Sequence, residues 1–127
     1  MSTPTYEMQL DSPDPPSLGT VRDWSRRVLG GLDPMTLSDV ELVITELATN
    51  AREHATGPRS VRLAREDHAI RVEVDDATPG SAPVERALFT SAHRGRGLLL
   101  VSKLCACWGI RRHRASKTVW ARLNFAG

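Results

Sequence analysis

The clearest pattern of apolar and polar positions in this chain lies in residues 39–55. At about 100° per residue, the apolar side chains of this stretch fall on one stripe: Val40, Val43, Ile44, Leu47 and Ala51. Ser38 followed three residues later by Glu41 is a capping-box pattern, so we predict that a helix begins near residue 39. Gly57 and Pro58 predict where it ends.

Three polar residues form a row at the edge of that apolar stripe. Glu46, Asn50 and His54 follow one another at intervals of four, which places them on neighbouring turns of the same helix face. A carboxylate and a carboxamide at the rim of a buried face favour a binding cleft. The same spacing is also common on solvated amphipathic helices, so the spacing alone leaves both interpretations open.

The rest of the chain shows the periodicity of further helices and strands. Helical spacing predicts two more helices, over 18–29 and 97–107. Alternation predicts five strands, over 5–10, 60–65, 69–75, 108–114 and 117–123. Because the strands alternate, one sheet face should be apolar, and we expect the three helices to cover that face. The prediction is an α+β fold, a two-layer α/β sandwich with a mixed, mostly antiparallel sheet. Residues 1–16 are expected to form a strand and connector ahead of a single domain over 17–127.

The strand over 69–75 is followed by a carboxylate that is predicted to face inward. Continuing the alternation of the apolar residues by one step places Asp76 on their side of the sheet and Asp75 on the other. A carboxylate at the end of an inward-facing row is costly unless other groups donate hydrogen bonds to it. A ligand with an exocyclic amine meets this requirement, and so do the backbone amides of an Asx-type turn before Pro79.

The composition is that of one globular domain. The chain has 127 residues, of which 40% are hydrophobic, and this length allows a core of its own. No apolar run approaches the roughly 18 residues of a membrane span, and no signal peptide is visible at the N-terminus. Cys105 and Cys107 have no zinc-site spacing and form no disulfide framework, so we interpret them as thiols of a reducing compartment. The expected location is the cytoplasm, with no membrane partner.

Charge is distributed unevenly along the chain. Residues 1–85 contain all 15 acidic residues and 8 of the 17 Lys and Arg residues, whereas residues 86–127 contain the other 9 and no acidic residue. A basic C-terminal third is compatible with nucleic acid, with a phosphate-bearing ligand or with an acidic protein. The two halves can equally neutralise each other once the chain folds. Direct nucleic-acid binding is disfavoured, because few aromatic side chains accompany the basic residues.

A long loop is predicted over residues 77–94, which are rich in Pro, Gly, Ser and Ala and lack periodicity. Gly95 and Gly97 then precede an apolar helical segment. A helix start flanked by glycines leaves backbone N–H groups free at the positive end of the helix dipole, and this arrangement binds phosphate. Two glycines one residue apart are also typical of a plain turn between a loop and a helix.

Several motifs, in this order, resemble those of the GHKL or Bergerat-fold ATPases. Residues 46–55 resemble the asparagine-box helix of this superfamily, and residues 72–76 resemble the strand that ends in its adenine-reading aspartate. Residues 95–101 resemble the glycine box, and residues 117–120 resemble the closing strand. The resemblance covers about residues 17–124 and is greatest to the anti-sigma-factor serine kinases, so it implies the Bergerat fold.

The resemblance implies a role for each candidate residue. Asn50 would bind Mg²⁺ through its amide oxygen, with the metal bridging the phosphates of ATP. Glu46 would act as general base or would orient the nucleophile. Asp76 would accept a hydrogen bond from the adenine amino group, and Thr118 would support the adenine side through a water or hydroxyl contact. The other nucleotide-binding residues that the resemblance implies are His54, Arg94, Gly95, Arg96, Gly97 and Leu98.

The chain also departs from the family pattern. Of the two glycines expected after the aspartate, only Gly80 is present, and Glu53 stands where a basic residue is common. The candidates to compensate for that charge are Arg52, Arg94 and Arg96.

Two functions follow from the resemblance and its departures. The first is an ATP-binding serine/threonine protein kinase that sequesters a sigma factor and phosphorylates an antagonist protein. The second is a non-catalytic module that binds a protein partner through the same fold, with or without nucleotide. Glu46 favours the enzyme, whereas Glu53 and the missing glycine favour the module. A homodimer is compatible with either function.

Overall fold

A computed structural model describes residues 4–78 and 101–125, which form a five-stranded sheet with helices packed on one face. The elements in chain order are β1 (Thr5–Gln9), α1 (Leu18–Val28), α2 (Pro34–His54), β2 (Ser60–Arg65), β3 (Ala69–Asp76), β4 (Cys107–Arg112) and β5 (Lys117–Asn124). The strand order is β1-β2-β3-β5-β4, and all four pairings are antiparallel. The predicted α+β two-layer fold is confirmed, and each strand lies within two residues of its predicted bounds. The sheet of the described residues is antiparallel throughout, whereas a mixed, mostly antiparallel sheet was predicted.

One face of the sheet and the apolar stripe of α2 form the core. In the register between β3 and β5, Val72 lies opposite Ala121 and Val74 lies opposite Val119. These side chains are buried in one cluster with Ile44 of α2. Burial of a side chain of this kind contributes about 1.5–3 kcal/mol. The predicted stripe is therefore the helix face that holds the two layers together.

The helix α2 begins at Pro34, five residues earlier than predicted. Asp33 is its N-cap: Oδ2 accepts a hydrogen bond from the Thr36 amide at 3.0 Å, and Oδ1 accepts one from the Thr36 hydroxyl at 2.6 Å. Proline suits the first helical position because the N–H group that it lacks would be unbonded there. The predicted capping box lies inside the helix, where Glu41 forms an ion pair with Arg26 of α1. Although α2 has 21 residues, no helix in the part of the chain that the structure describes is both long and apolar enough to span a membrane.

The predicted third helix, over 97–107, is described only from residue 101 onward. Residues 101–104 are helical. The helix ends before residue 107, because the amide of Ala106 already donates a hydrogen bond to the carbonyl of Arg122 in β5, at 2.8 Å. Residues 97–100 lie outside the described residues.

Acidic and basic residues that are far apart in the sequence form ion pairs in the folded sheet. Three basic residues of the C-terminal third pair with acidic residues of the segment 1–85: Arg111 with Glu73, Lys117 with Asp76 and Arg122 with Glu66. Mutual neutralisation is therefore confirmed for these residues. In the pairs of Arg111 and Arg122 the guanidinium group is solvent-exposed, and exposed ion pairs contribute at most about 1 kcal/mol each. The pair of Lys117 with Asp76 differs because both side chains are buried.

Candidate functional site

A small cavity lies between the C-terminal half of α2, the C-terminal end of β3 and the N-terminal end of β5. Its volume is about 10 Å³, roughly the space of one water molecule. The cavity is lined by Leu47, Asn50, Ala51, His54, Asp76, Lys117 and Val119. Three residues that were predicted from the sequence to bind nucleotide, Asn50, His54 and Asp76, therefore meet in one place.

The side chain of Asn50 is buried in this cavity. The residue is 4% exposed, and neither its amide nitrogen nor its amide oxygen has a hydrogen-bond partner within the described part of the chain. A buried polar group without a partner costs about 1–3 kcal/mol, so proteins keep few of them. An unpartnered amide in a cavity is the arrangement expected of a group that binds a ligand.

Asp76 lines the cavity, and its carboxylate has two partners of its own. Its Oδ1 accepts a hydrogen bond from the Thr78 amide at 2.8 Å, which is an Asx turn. Its Oδ2 accepts a hydrogen bond from Nζ of Lys117. The Thr78 hydroxyl in turn accepts from the amide of Thr56 at 3.0 Å, which ties the turn to the segment that follows α2. The predicted inward orientation of Asp76 is confirmed, and the Asx turn accounts for one of its two oxygens.

Lys117 is a residue of this site that we did not predict from the sequence. The register places it opposite Asp76, and its side chain is 3% exposed. A signal was present, because the inward row of Val119 and Ala121, extended back by one alternation, reaches Lys117. Removal of one partner from a buried ion pair typically costs about 3–5 kcal/mol, because the other charge is left uncompensated. Lys117 is therefore part of the reason that Asp76 can be buried.

Thr118, predicted to support the adenine side, lies on the other face of the sheet. It is opposite Asp75 in the register, and its hydroxyl donates a hydrogen bond to Asp75 Oδ1 at 2.5 Å. Nε2 of His113 lies 3.3 Å from the same hydroxyl. Because successive residues of a strand face opposite sides, the residue of β5 that meets Asp76 is Lys117. The structure does not bring Thr118 together with Asn50, His54 and Asp76.

Glu46 and His54 flank Asn50 on α2, one turn before it and one turn after it. Glu46 is half-buried. Nε2 of His54 is buried and has no hydrogen-bond partner among the described residues, since Glu53 Oε2 lies 3.7 Å away. The row predicted from the sequence therefore carries a carboxylate, a carboxamide and an imidazole along one edge of the helix, and the last two reach the cavity.

The other predicted residues lie elsewhere or outside the description. Arg52, a candidate to compensate for Glu53, donates hydrogen bonds to the carbonyls of Leu10 at 3.2 Å and Pro16 at 2.6 Å. It thereby holds the N-terminal connector against α2. The predicted phosphate-binding residues lie outside the described residues: Arg94, Gly95, Arg96, Gly97 and Leu98.

The residues of the cavity fit a Mg²⁺ ion that is completed by phosphates. Within residues 4–78 and 101–125, no group of three or more His, Cys, Asp or Glu side chains could hold a metal ion. Mg²⁺ in nucleotide sites usually takes only one or two protein ligands, with water and substrate phosphates as the others. The unpartnered amide oxygen of Asn50 is one such ligand, and it is a hard oxygen donor of the kind that Mg²⁺ prefers.

The described residues form a two-layer α+β domain in which the polar edge of a helix faces a buried aspartate across a cavity. The model of the histidine kinase-like ATPase domain family matches residues 12–123. The chain therefore belongs to this family, and the resemblance to GHKL ATPases is confirmed. A comparison with curated proteins gives no match. Membership of this family supports ATP binding by the domain.

Proposed function

We propose that this chain is an ATP-dependent serine/threonine protein kinase of the anti-sigma-factor type, which phosphorylates a hydroxyl side chain of an antagonist protein. The observation that carries the proposal is the buried amide of Asn50, which has no partner in the described part of the chain and lines a cavity together with Asp76. Because the chain belongs to the histidine kinase-like ATPase domain family, we infer that the ligand is ATP.

Each residue of the row on α2 has one task in this reaction. Asn50 would hold Mg²⁺ through its amide oxygen and would thereby orient the phosphate end of the nucleotide. Mg²⁺, when bound there, neutralises the charge of the phosphates. Glu46, one turn away on the same helix edge, holds the substrate hydroxyl and accepts its proton as the hydroxyl oxygen attacks the γ-phosphorus. The bond to the β-phosphate breaks, and ADP leaves.

The partners belong to the proposal as well. The resemblance to anti-sigma-factor kinases supports a switch between two protein partners, a sigma factor that is sequestered and an antagonist that is phosphorylated. The same resemblance supports a cytoplasmic location, where both partners would be found. A homodimer is compatible with this arrangement.

A second candidate is a non-catalytic module that holds a protein partner. The observation that favours it is the set of partners of Asp76, because Lys117 and the Thr78 amide already satisfy both of its oxygens. Glu53 adds a negative charge one turn from Asn50, close to where phosphates would bind. In this case ATP would bind weakly or would not be turned over.

The two candidates are separated by the effect of Glu46→Gln on turnover. This variant keeps the size of the side chain and removes its capacity to act as a base. With labelled ATP, we expect phosphoryl transfer, or slow hydrolysis without a partner, to fall by roughly 10²- to 10⁴-fold. The affinity for ATP should change only a few-fold, because Glu46 acts on the attacking hydroxyl. Glu7→Gln, an exposed glutamate of β1, is the matched control and should behave as wild type.

Equal rates of phosphoryl transfer for wild type and Glu46→Gln would show that Glu46 is not the general base. Wild-type protein that binds ATP but shows no turnover, alone or with candidate antagonists, would establish the binding module instead.

A further inference from the structure

Arg59 caps the end of α2 that carries Asn50 and His54. Its Nε donates a hydrogen bond to the carbonyl of Ala51 at 2.7 Å, and its Nη2 donates one to the carbonyl of Ala55. The last carbonyls of a helix have no partner within the helix, and a basic side chain that donates to them stabilises the last turn. Each of these two alanines directly follows a residue of the polar row, so the cap acts on the turn that carries both.

The guanidinium group of Arg59 is itself held in place by the segment ahead of α1. Its Nη1 lies 3.1 Å from both carboxylate oxygens of Asp11, and the backbone amide of Leu10 donates to the carbonyl of Arg59 at 2.9 Å. Gly57 leaves room for the carboxylate, because a Cβ atom there would lie 2.5 Å from Oδ2 of Asp11. All three nitrogens of the planar guanidinium are bonded and the side chain is only 17% exposed, so the group has one defined orientation.

The amide of Asn50 depends on support from outside the cavity. It has no hydrogen-bond partner in the described part of the chain, so no polar contact there fixes its orientation, and the same holds for Nε2 of His54. A group that binds a ligand must be held to within about 0.5 Å, and packing and hydrogen bonds to the surrounding structure provide this precision. In this site the hydrogen bonds lie one layer away, between Arg59 and the helix backbone.

We propose that Arg59 is a positioning residue of the nucleotide site: by capping the last turn of α2, it holds the amide of Asn50 and the imidazole of His54 in the orientation that binds Mg-ATP. Arg59 does not line the cavity, so it acts through the helix. Because Asp11 fixes the guanidinium group, the N-terminal connector contributes to the site through the same cap. The inference rests on the proposed function, which supplies Mg-ATP as the ligand of the positioned groups.

The first test needs no nucleotide. The sequence contains two asparagines, Asn50 and Asn124, so protein labelled with ¹⁵N-asparagine gives two pairs of side-chain amide signals in NMR. The pair that is missing in Asn124→Ala belongs to Asn124. We expect Arg59→Ala to shift the Asn50 side-chain signals, because the turn that carries this residue loses its cap. The control, Arg65→Ala, should leave them at their wild-type positions.

Arg65 is a matched control because it is also a half-buried arginine that caps a helix. Its Nη1 donates a hydrogen bond to the carbonyl of Gly30, just beyond the end of α1, at 3.0 Å. Its guanidinium group also lies over the ring of Phe125, 5.9 Å from the centroid. Arg65 is the last residue of β2, whereas Arg59 directly precedes this strand, so the two arginines lie at opposite ends of β2.

The second test is titration calorimetry with Mg-ATP, at a temperature at which thermal unfolding shows every variant to be folded. Arg59→Ala should bind roughly 10- to 100-fold more weakly than wild type, the range typical of residues that orient a metal ligand. Arg65→Ala should bind as wild type even where its unfolding midpoint is equally low. Arg59→Lys keeps the positive charge but lacks the planar group that reaches both carbonyls, so its affinity should be intermediate. If Arg59→Ala does not fold, Arg59→Lys is used in both tests.

The outcomes distinguish this inference from the function on which it rests. If the Asn50 signals in the Arg59 variants coincide with those of wild type, Arg59 does not position the amide and the inference is wrong. Shifted signals with unchanged Mg-ATP affinity would also overturn it, and so would equal losses of affinity in Arg59→Ala and Arg65→Ala, which would indicate an effect of stability alone. If wild type binds no Mg-ATP, the proposed function fails, and the NMR comparison decides whether Arg59 holds the amide.

Discussion

Asp75 and Asp76 are adjacent in β3, and their carboxylates lie on opposite faces of the sheet, each bound by its own partner from β5. Asp76 pairs with Lys117 on the face covered by helices, and Asp75 accepts a hydrogen bond from Thr118 on the other face. A shift of one residue in the pairing of β3 with β5 would exchange the two faces and remove the buried ion pair. These contacts therefore help to fix the register that builds the cavity.

The buried ion pair should make a measurable contribution to stability. We expect Lys117→Met to lower the free energy of unfolding by about 3–5 kcal/mol, because Asp76 would keep a buried charge without a partner. The double variant Lys117→Met/Asp76→Asn should be more stable than Lys117→Met, since no buried charge remains. Urea unfolding measures all of these variants. If the effects of Lys117→Met and Asp76→Asn simply add, the two side chains do not interact in the folded protein.

The N-cap of α2 should make stability depend on pH. A hydrogen bond from the Thr36 hydroxyl, and a further one from the Thr36 amide, hold the pKa of Asp33 below its ordinary value of 3.8. A carboxyl group whose pKa is lower in the folded state stabilises the fold above its ordinary pKa. This contribution is lost as the pH falls through the folded-state pKa. Asp33→Ala should therefore be less stable than wild type at neutral pH, and the difference should shrink below about pH 3.8.

Thermal unfolding at several pH values checks this expectation. Asp23→Ala, which removes an exposed aspartate of α1, is the control and should show a smaller effect at neutral pH. A difference between Asp33→Ala and wild type that stays constant from neutral to acidic pH would contradict the role of Asp33 as a charged cap.

The two cysteines should react at different rates. Burial, with smaller contributions from the nearby Cys107 and Asp39, raises the pKa of the Cys105 thiol to about 11. Cys107 is exposed. Because the thiolate is the reactive form, we expect iodoacetamide to modify Cys107 first at about pH 8, as followed by peptide mass spectrometry. Cys107→Ser should lose the fast reaction, and equal rates at the two positions would contradict the account.

The fold could be predicted largely from local patterns, whereas the start of α2 could not. Apolar residues alternate with polar ones most clearly in β3, and the existence and approximate bounds of the strands follow from a few neighbouring residues. The sequence contains two N-cap patterns near the N-terminus of α2. One is Asp33 followed by Pro34, and the other is Ser38 followed three residues later by Glu41. The outcome depends partly on a tertiary contact, because Glu41 pairs with Arg26 of another helix. No local pattern contains that information.

The site shows the same division between local and long-range information. Asn50, His54 and the inward phase of Asp76 follow from the periodicity of one helix and one strand. That Asp76 meets Lys117, and that Thr118 meets Asp75, depends on the register between strands that are far apart in the sequence. The alternation of β5 places Lys117 on the inward side. Lysine is rarely buried unless it is paired with an opposite charge, and the local sequence does not show its partner.

The central claim is that the amide of Asn50 binds the nucleotide and its metal rather than supporting the fold. Titration calorimetry of wild type and Asn50→Ala with ATP, with and without Mg²⁺, tests this claim most directly. Asn124→Ala, at the exposed end of β5, is the matched control and should bind as wild type. Thermal unfolding of Asn50→Ala should remain close to that of wild type, because the buried amide has no partner to lose among the described residues. We predict that wild type binds ATP in a Mg²⁺-dependent manner and that Asn50→Ala loses this binding, whereas an unchanged Mg-ATP affinity in Asn50→Ala would contradict the account.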